Sequence, residues 1–230
     1  VPSIPASGTT DIYIYYGNDS VTTTSSGSDT WLFFDDFETW SGWRDYKSGT
    51  VYQDTSTFGF ACLKKDSNND PNGGYKDMGI TVSTFRFLAR EYRPNLGGGA
   101  YDRFGLEDSG FNGYTIYKQA KTAGTGRWGF ERRKNGKSVQ KWYVSVAHPC
   151  NDWYICELLR SQTGRIIANE YDDLHNLIGS ISAVDTTYGS FSRVVVHGGY
   201  PYYLDWIAVG NYIEPEPSHS SWGPEESISP

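Results

Sequence analysis

Acidic side chains interrupt two apolar segments near opposite ends of the chain. Segment 31–38 reads WLFFDDFE, with Asp35 and Asp36 after its apolar start, and segment 202–209 reads YYLDWIAV, with Asp205 in its middle. Carboxylates are almost never buried without a partner. We therefore expect the two segments to be paired or neighbouring strands whose acids hold a cation. Two alternatives stay open: Asp205 pairs with an arginine or caps loop amides, and Asp35 and Asp36 are solvated turn residues.

Carboxylates placed for glycoside hydrolysis are not evident. Retaining hydrolysis needs two carboxylates about 5 Å apart, and alternate residues of one strand would face the same cleft. Glu107 and Asp108 are adjacent, so a strand points them to opposite faces, and we expect no catalytic carboxylate pair on a sheet face. A polysaccharide lyase is harder to exclude, because it needs a Tyr or His base and an Arg or Gln that holds a sugar carboxylate. His197, beside two glycines, is more typical of a structural histidine.

Alternation along the apolar segments predicts a row of charged and tyrosine side chains on one sheet. In segment 81–92, Phe85 and Phe87 take the core side and Arg86 takes the opposite side. Such side chains could hydrogen-bond sugar hydroxyls, stack on sugar rings and hold carboxylates or sulfates. The alternative is a solvated strand face with cross-strand ion pairs. The predicted ligand-binding row consists of Arg86, Arg90, Tyr92, Arg103, Glu107, Tyr117, Lys141 and Tyr143.

The composition favours strands and argues against two classes of partner. Aromatic residues make up 16% of the 230 residues, and they suit a pleated surface. The net charge of −7 argues against a nucleic-acid partner. No apolar run reaches the roughly 18 residues of a membrane span, so none is predicted. Cys62, Cys150 and Cys156 allow at most one disulfide, and Cys62–Cys150 and Cys150–Cys156 both stay open.

Turn signals divide the chain into short strands. Asn112-Gly113 and Asn135-Gly136 are two of them, and about ten strand-like runs at this spacing predict an all-β, jelly-roll β-sandwich over residues 30–212. Residues 1–29 are predicted to hold a strand (11–16) and a Ser/Thr-rich linker, and residues 213–230 a Pro/Glu/Ser linker tail. The chain has no initiator Met and ends in linker composition, so we expect it to be covalently linked to further domains of a longer parent protein.

Segment 33–209 resembles the concanavalin A-like, laminin-G-like jelly rolls of extracellular proteins. The residues that carry the resemblance are FDDFE at 34–38, FGLED at 104–108 and YLDWIAV at 203–209. The last of these is similar to the closing strand of laminarinase- and lichenase-type glycoside hydrolases and of related carbohydrate-binding modules. Residues 4–18, with IYIYYGN at 12–18, resemble the last strand of an uncharacterised domain that is common in archaeal and bacterial surface proteins.

The resemblance implies a structural calcium site and a role in sugar binding. In such proteins the acid of the closing strand and backbone carbonyls near the entry bind calcium, which carries over to Asp205, Asp36 and Gly59; oxygen ligands of this kind suit calcium. The Glu-x-Asp-x-x-Glu motif of the hydrolases is absent. We therefore expect a non-catalytic, calcium-stabilised, extracellular or cell-surface module that binds a polysaccharide or glycan. The alternatives are a polysaccharide lyase or glycoside hydrolase of the same fold, and a structural or adhesive module without a sugar site.

Overall fold

Strands account for nearly all regular structure in the computed structural model, which describes residues 26–47, 50–66, 73–94, 100–120, 125–147, 151–199 and 201–214. These residues form one helical turn, α1 (Gly27–Thr30), and fifteen strands. The strands are β1 (Phe33–Asp35), β2 (Trp43–Tyr46), β3 (Val51–Asp54), β4 (Cys62–Lys65), β5 (Gly73–Val82), β6 (Phe85–Arg93), β7 (Ala100–Glu107), β8 (Gly113–Ala120), β9 (Thr125–Lys134), β10 (Lys137–Ala147), β11 (Asp152–Arg160), β12 (Arg165–Asp172), β13 (Leu177–Val184), β14 (Phe191–Gly198) and β15 (Tyr202–Gly210).

The strands form two antiparallel sheets. Sheet A has the order β13-β12-β11-β6-β15-β4-β3, and β1 pairs with β15 beside this path. Sheet B has the order β10-β9-β8-β7-β14-β5-β2. Strands that follow one another in the chain often lie in different sheets, as β6 and β7 do. The predicted all-β sandwich is therefore confirmed.

The core between the sheets consists of the side chains that alternation assigns inward. Phe87 of β6 and Phe104 of β7 are fully buried, and their ring centres lie 6.3 Å apart across the sandwich. Trp128 is also fully buried, and its indole N–H donates to the Ala168 carbonyl oxygen at 3.2 Å. Burying one such side chain stabilises a fold by roughly 1.5–3 kcal/mol. This packing fixes the two sheets, and with them the outer faces on which ligands could bind.

A cluster of charged side chains also lies between the sheets. Lys118 of β8 is 2.6 Å from Glu91 of β6 and 3.1 Å from Glu170 of β12, and all three side chains are fully buried. Beside them, Arg93 lies 2.5 Å from Asp102. Burial raises the pKa of Asp102 to about 7, although the Arg93 charge acts in the opposite direction. The cluster therefore joins both sheets through ion pairs and holds a carboxyl group that binds a proton near neutral pH.

Several predictions made from the sequence fall outside the described residues. They are the strand at 11–16, the tail from 215 onwards and Cys150, on which both predicted disulfides depend. Cys62 and Cys156 are buried, and neither forms a disulfide with another described residue. Among the described residues, the helical content is the four-residue α1, and no helix is long and apolar enough to cross a membrane.

Candidate functional site

The eight residues predicted to form one row lie on the outer faces of two different sheets. Arg86, Arg90 and Tyr92 belong to β6 of sheet A. The prediction of a single row is therefore wrong for these three residues. Alternation predicts whether a side chain points into or out of the sandwich, but it does not predict which sheet a strand joins. The other five residues share the outer face of sheet B: Arg103, Glu107, Tyr117, Lys141 and Tyr143.

Tyrosines alternate with basic side chains on this face of sheet B. The rings of Tyr101 and Tyr117 are stacked with centres 5.7 Å apart, and Tyr143 lies 6.0 Å from Tyr117. Lys141 lies 4.7 Å from the Tyr117 ring centre, and Arg127 lies 4.5 Å from that of Tyr143. Cations at this distance from aromatic rings are attracted to them. We call this surface the tyrosine shelf, and it comprises Tyr101, Arg103, Tyr117, Arg127, Lys141 and Tyr143.

The shelf is accessible at its β10 edge and buried at its base. Tyr143 is 42% exposed, and Tyr101, Arg127 and Lys141 are half-buried. Tyr117 and Arg103 are buried beneath them. Burial raises the pKa of Tyr117, against the opposing effect of Arg127, so its phenol stays neutral and can donate a hydrogen bond. The shelf thus presents the aromatic rings of Tyr101 and Tyr143 and the positive charges of Arg127 and Lys141 to solvent.

Ion pairs fix the base of the shelf. Arg103 lies 2.8 Å from Glu131, and Arg133 lies 2.5 Å from Glu131 and 3.1 Å from Glu107. His197 lies 3.6 Å from Glu107. All five are buried although they point away from the core. We call them the buried ion-pair network. Such pairs hold their members in one geometry, because a displaced partner would leave a buried charge uncompensated.

The sequence predictions missed two members of this network. Glu131 and Arg133 lie in β9 with the same parity as Arg127, so alternation along the predicted strand 127–133 could have found them. His197 was assigned a structural role, and the structure places it beside Glu107. Glu107 of β7 and Glu131 of β9 share this sheet face, a pairing that the sequence reasoning did not identify. No motif within one strand signals such a pair.

Glycines lie where neighbouring strands of this face approach each other closely. Gly113 pairs with Arg133 across β8 and β9. A Cβ atom at Gly105 would lie 2.5 Å from the Tyr114 carbonyl oxygen, and one at Gly129 would lie 2.0 Å from the Trp142 carbonyl oxygen. Real Cβ atoms do not approach backbone so closely, so these positions require glycine.

Aromatic side chains close one end of the network. Tyr46 of β2 and Phe111 lie with ring centres 4.0 Å apart, and Tyr46 lies 5.3 Å from the His197 ring. The β9–β10 turn contributes the Gly136 carbonyl oxygen, which accepts a hydrogen bond from Arg133. Glu107 and Glu131 are fully buried as a result. Both carboxylates are thus engaged by arginine and shielded from a substrate.

The acids near the chain ends have protein partners. β1 pairs with β15, with Asp35 opposite Ile207, which confirms the predicted pairing of the two segments. Asp35 accepts hydrogen bonds from Lys76 at 2.8 Å and from the Trp43 indole at 2.9 Å. Asp205 accepts one from Arg90 at 2.8 Å, which is the arginine pairing left open as an alternative. These contacts satisfy both carboxylates without a metal ion.

The residues predicted to bind calcium do not form a carboxylate cage. Asp36 is exposed and accepts a hydrogen bond from the Glu38 backbone N–H at 3.2 Å. Gly59 has φ of 81° and lies between Phe58 and Phe60, whose rings pack on the outer face of sheet A. Within the described ranges, no group of three or more His, Cys, Asp and Glu side chains could hold a metal ion. These side chains do not fit such a site, and calcium binding at Asp36, Asp205 and Gly59 stays a prediction.

Comparison with known proteins finds some that are similar in sequence and others that are similar in fold. A family model described as a domain of unknown function (DUF2341) matches residues 1–45, in agreement with the resemblance seen for residues 4–18. The uncharacterized protein MJ1394 of Methanocaldococcus jannaschii is 37% identical over 194 residues, which is 80% of this chain and 19% of that protein. The chain therefore spans about a fifth of the length of this relative.

Two solved structures share the fold. The CBM2 module of the evolved Dit protein of Lactobacillus casei BL23 phage J-1 has a TM-score of 0.55 at 10% identity and covers 78% of this chain and 94% of its own. The GH16 protein of the Bacteroides ovatus mixed linkage glucan PUL, in complex with its G4G4G3G product, has a TM-score of 0.51 at 10% identity. This match covers 77% of the present chain and 99% of the GH16 chain. At these identities the similarity shows the fold, and it confirms the predicted jelly roll.

Proposed function

We propose that the chain is a non-catalytic carbohydrate-binding module whose tyrosine shelf binds an acidic glycan. The observation that carries the proposal is the alternation of tyrosines with basic side chains on one sheet face, where Tyr101, Tyr143, Arg127 and Lys141 are accessible above the buried Tyr117 and Arg103. Sugar rings stack on aromatic faces, while basic groups and hydroxyls hold their polar substituents. Jelly-roll neighbours that include a carbohydrate-binding module and a GH16 protein support a sugar-related role.

The charge distribution favours an acidic glycan over a neutral one. The whole chain has a net charge of −7, but Arg127 and Lys141 are the charged groups at the accessible part of the shelf. The two carboxylates of the face are buried against Arg103 and Arg133. Uronates or sulfates would therefore meet positive charge on the shelf.

Burial of Glu107 and Glu131 favours binding over hydrolysis. A retaining glycosidase needs two carboxylates that reach the scissile bond from opposite sides. Here one guanidinium, that of Arg133, lies between both carboxylates, and the Tyr46–Phe111 pair closes the end of the network. This supports a non-catalytic role for the face.

We assign the module to a secreted or surface-displayed parent protein in which it is linked to further domains. The match to a relative of which it covers 19% supports this arrangement, as does the DUF2341 match at residues 1–45. The task of the module would be to hold that larger protein near a polysaccharide. A calcium ion at Asp36, Asp205 and Gly59 would not contact the glycan, since these residues do not belong to the shelf.

Affinity electrophoresis tests the proposal. The chain is run through gels that contain alginate, polygalacturonate or neutral laminarin, at low and high salt. We expect retardation in the acidic gels that weakens with salt, because exposed charges are screened. The Tyr143→Ala and Lys141→Ala variants should migrate faster than the wild type in the same gels. Equal mobility in all gels contradicts glycan binding, and release of reducing ends or of unsaturated sugars contradicts a non-catalytic role.

A further inference from the structure

We propose a second ligand site, for a neutral pyranose ring, in a groove on the outer face of sheet A. The groove has a volume of about 340 Å³, and its lining includes Arg86, Leu88, Ile155, Glu157, Tyr171 and Trp206. A volume of this size lies at the lower end of small-ligand pockets, which are typically about 300–1,000 Å³. The site lies on the opposite side of the sandwich from the tyrosine shelf, and its occupancy does not depend on the function proposed above.

The apolar part of the groove suits the C–H faces of a sugar. Leu88 of β6 lies opposite Glu157 of β11 on one side and opposite Ala208 of β15 on the other. The groove is therefore aliphatic on the β15 side of Leu88. Trp206 lies opposite Arg90 in the β15–β6 register and is half-buried. Large aromatic rings contribute much contact area at little entropic cost. The indole thus supplies a surface on which a pyranose ring can stack.

The polar part of the groove is a fixed array of donors and acceptors. Glu157 is only 2% exposed and lies 2.6 Å from Arg86. It also accepts hydrogen bonds from Asn169 at 2.7 Å and from the Tyr171 hydroxyl at 3.2 Å. The buried Glu157 carboxylate thus fixes the Arg86, Asn169 and Tyr171 side chains in one arrangement at the floor of the groove. Burial and the Glu157 charge raise the pKa of Tyr171 to about 12, which keeps its phenol neutral.

The balance of charge selects a neutral ligand. Arg86 and Glu157 neutralise each other. Arg90, next to Trp206, is held by Asp173 and Asp205, each at 2.8 Å, so these three groups together carry one negative charge, and His175 also lines the groove. A uronate or sulfate would be repelled by these carboxylates, whereas hydroxyl groups can donate to them. The groove therefore differs in ligand class from the tyrosine shelf, and one molecule could join an acidic and a neutral glycan chain.

Heteronuclear NMR of the uniformly labelled chain tests the site. Cellotetraose, laminaritetraose, mannotetraose and trigalacturonate are titrated separately up to about 10 mM, a range that detects weak sugar binding. We expect a neutral tetraose to shift the Trp206 indole N–H and the Asn169 side-chain amide, with trigalacturonate leaving both in place. Trp206→Ala should weaken sugar binding by at least about tenfold. Trp206→Tyr should retain part of the sugar binding, which would show that the loss in Trp206→Ala is not caused by unfolding.

Variants of the opposite face separate this proposal from the proposed function. Tyr143→Ala should leave the neutral-sugar shifts unchanged, and Trp206→Ala should leave retardation in alginate gels unchanged. The second site is overturned if no neutral tetraose shifts the groove signals, if the shifts persist in a folded Trp206→Ala variant, or if trigalacturonate shifts them equally.

Discussion

The Arg133 guanidinium lies 2.5 Å from the Glu131 carboxylate, and both side chains are fully buried on the outward face of sheet B. Outward side chains of a sandwich strand are usually solvated, so this pair forms a second, polar layer outside the hydrophobic core. Arg103, Glu107 and His197 complete it. The charges of its two arginines offset those of its two glutamates. Its rigidity holds Tyr117 and Arg103 in place beneath the accessible part of the tyrosine shelf.

Removing one charge from this layer should destabilise the fold. In Glu131→Gln, Arg103 and Arg133 lose a shared counter-charge in a buried environment, and we expect a loss of about 3–5 kcal/mol in the free energy of unfolding. Urea denaturation measures it. Glu38→Gln, at an exposed position, is the control and should change stability by less than about 0.5 kcal/mol. A similarly small change for Glu131→Gln would show that the layer does not hold the face together.

The proton on Asp102 should make stability fall between about pH 4 and pH 7. Burial, as the largest effect, and the nearby Glu91 raise the pKa of Asp102 from 3.8 to about 7, against Arg93 and Lys118. The folded state therefore binds a proton that the unfolded state has already released, and this stabilisation is present below pH 4 and lost as pH rises through 7. Asp54, Asp172, Asp173 and Asp185 have lowered pKa values, so their effects fall below this window and have the opposite sign. Denaturation of the wild type and of Asp102→Asn across pH 4–8 measures the effect; a variant with the same slope as the wild type contradicts it.

Chelation should distinguish the two partners considered for Asp205. The Arg90 guanidinium already pairs with this carboxylate at 2.8 Å, so we expect the melting temperature of the chain to be the same with calcium and with EDTA. Arg90→Ala should lower the melting temperature in both conditions, since Asp205 and Asp173 both lose their partner. A midpoint that falls by several degrees in EDTA would instead support the calcium site predicted from the sequence, because a bound ion stabilises the folded state.

The sequence predicts the fold and the direction of most side chains well. Phe104 and Leu106 point inward and Arg103 and Glu107 outward, as alternation requires, because successive strand residues face opposite sides. The pairing of β1 with β15 was predicted from the shared acids of two apolar segments. Both segments show this combination of apolar residues and acids within a few consecutive residues, so the pairing could be predicted from local sequence.

What the sequence does not predict depends on contacts between strands far apart in the chain. Nothing in the alternation of β6 reveals that it lies between β11 and β15, so Arg86 and Arg90 were assigned to the wrong face. The partner of Asp205 is Arg90, 115 residues away, and Glu131 meets Glu107 only through Arg133. Such encounters follow from topology and register, which local patterns leave undetermined.

The central claim is that the tyrosine shelf binds an acidic glycan. Isothermal titration calorimetry with an acidic oligosaccharide tests this claim most directly. The oligosaccharide whose polymer retards the chain best is titrated into the wild type, Tyr143→Ala, Lys141→Ala and, as a control on an exposed apolar residue of sheet A, Val184→Ala. We predict that Tyr143→Ala binds about tenfold more weakly, that Lys141→Ala binds more weakly and with less dependence on salt, and that Val184→Ala binds like the wild type. Equal affinity of all four proteins, or no binding by the folded wild type, would contradict the account.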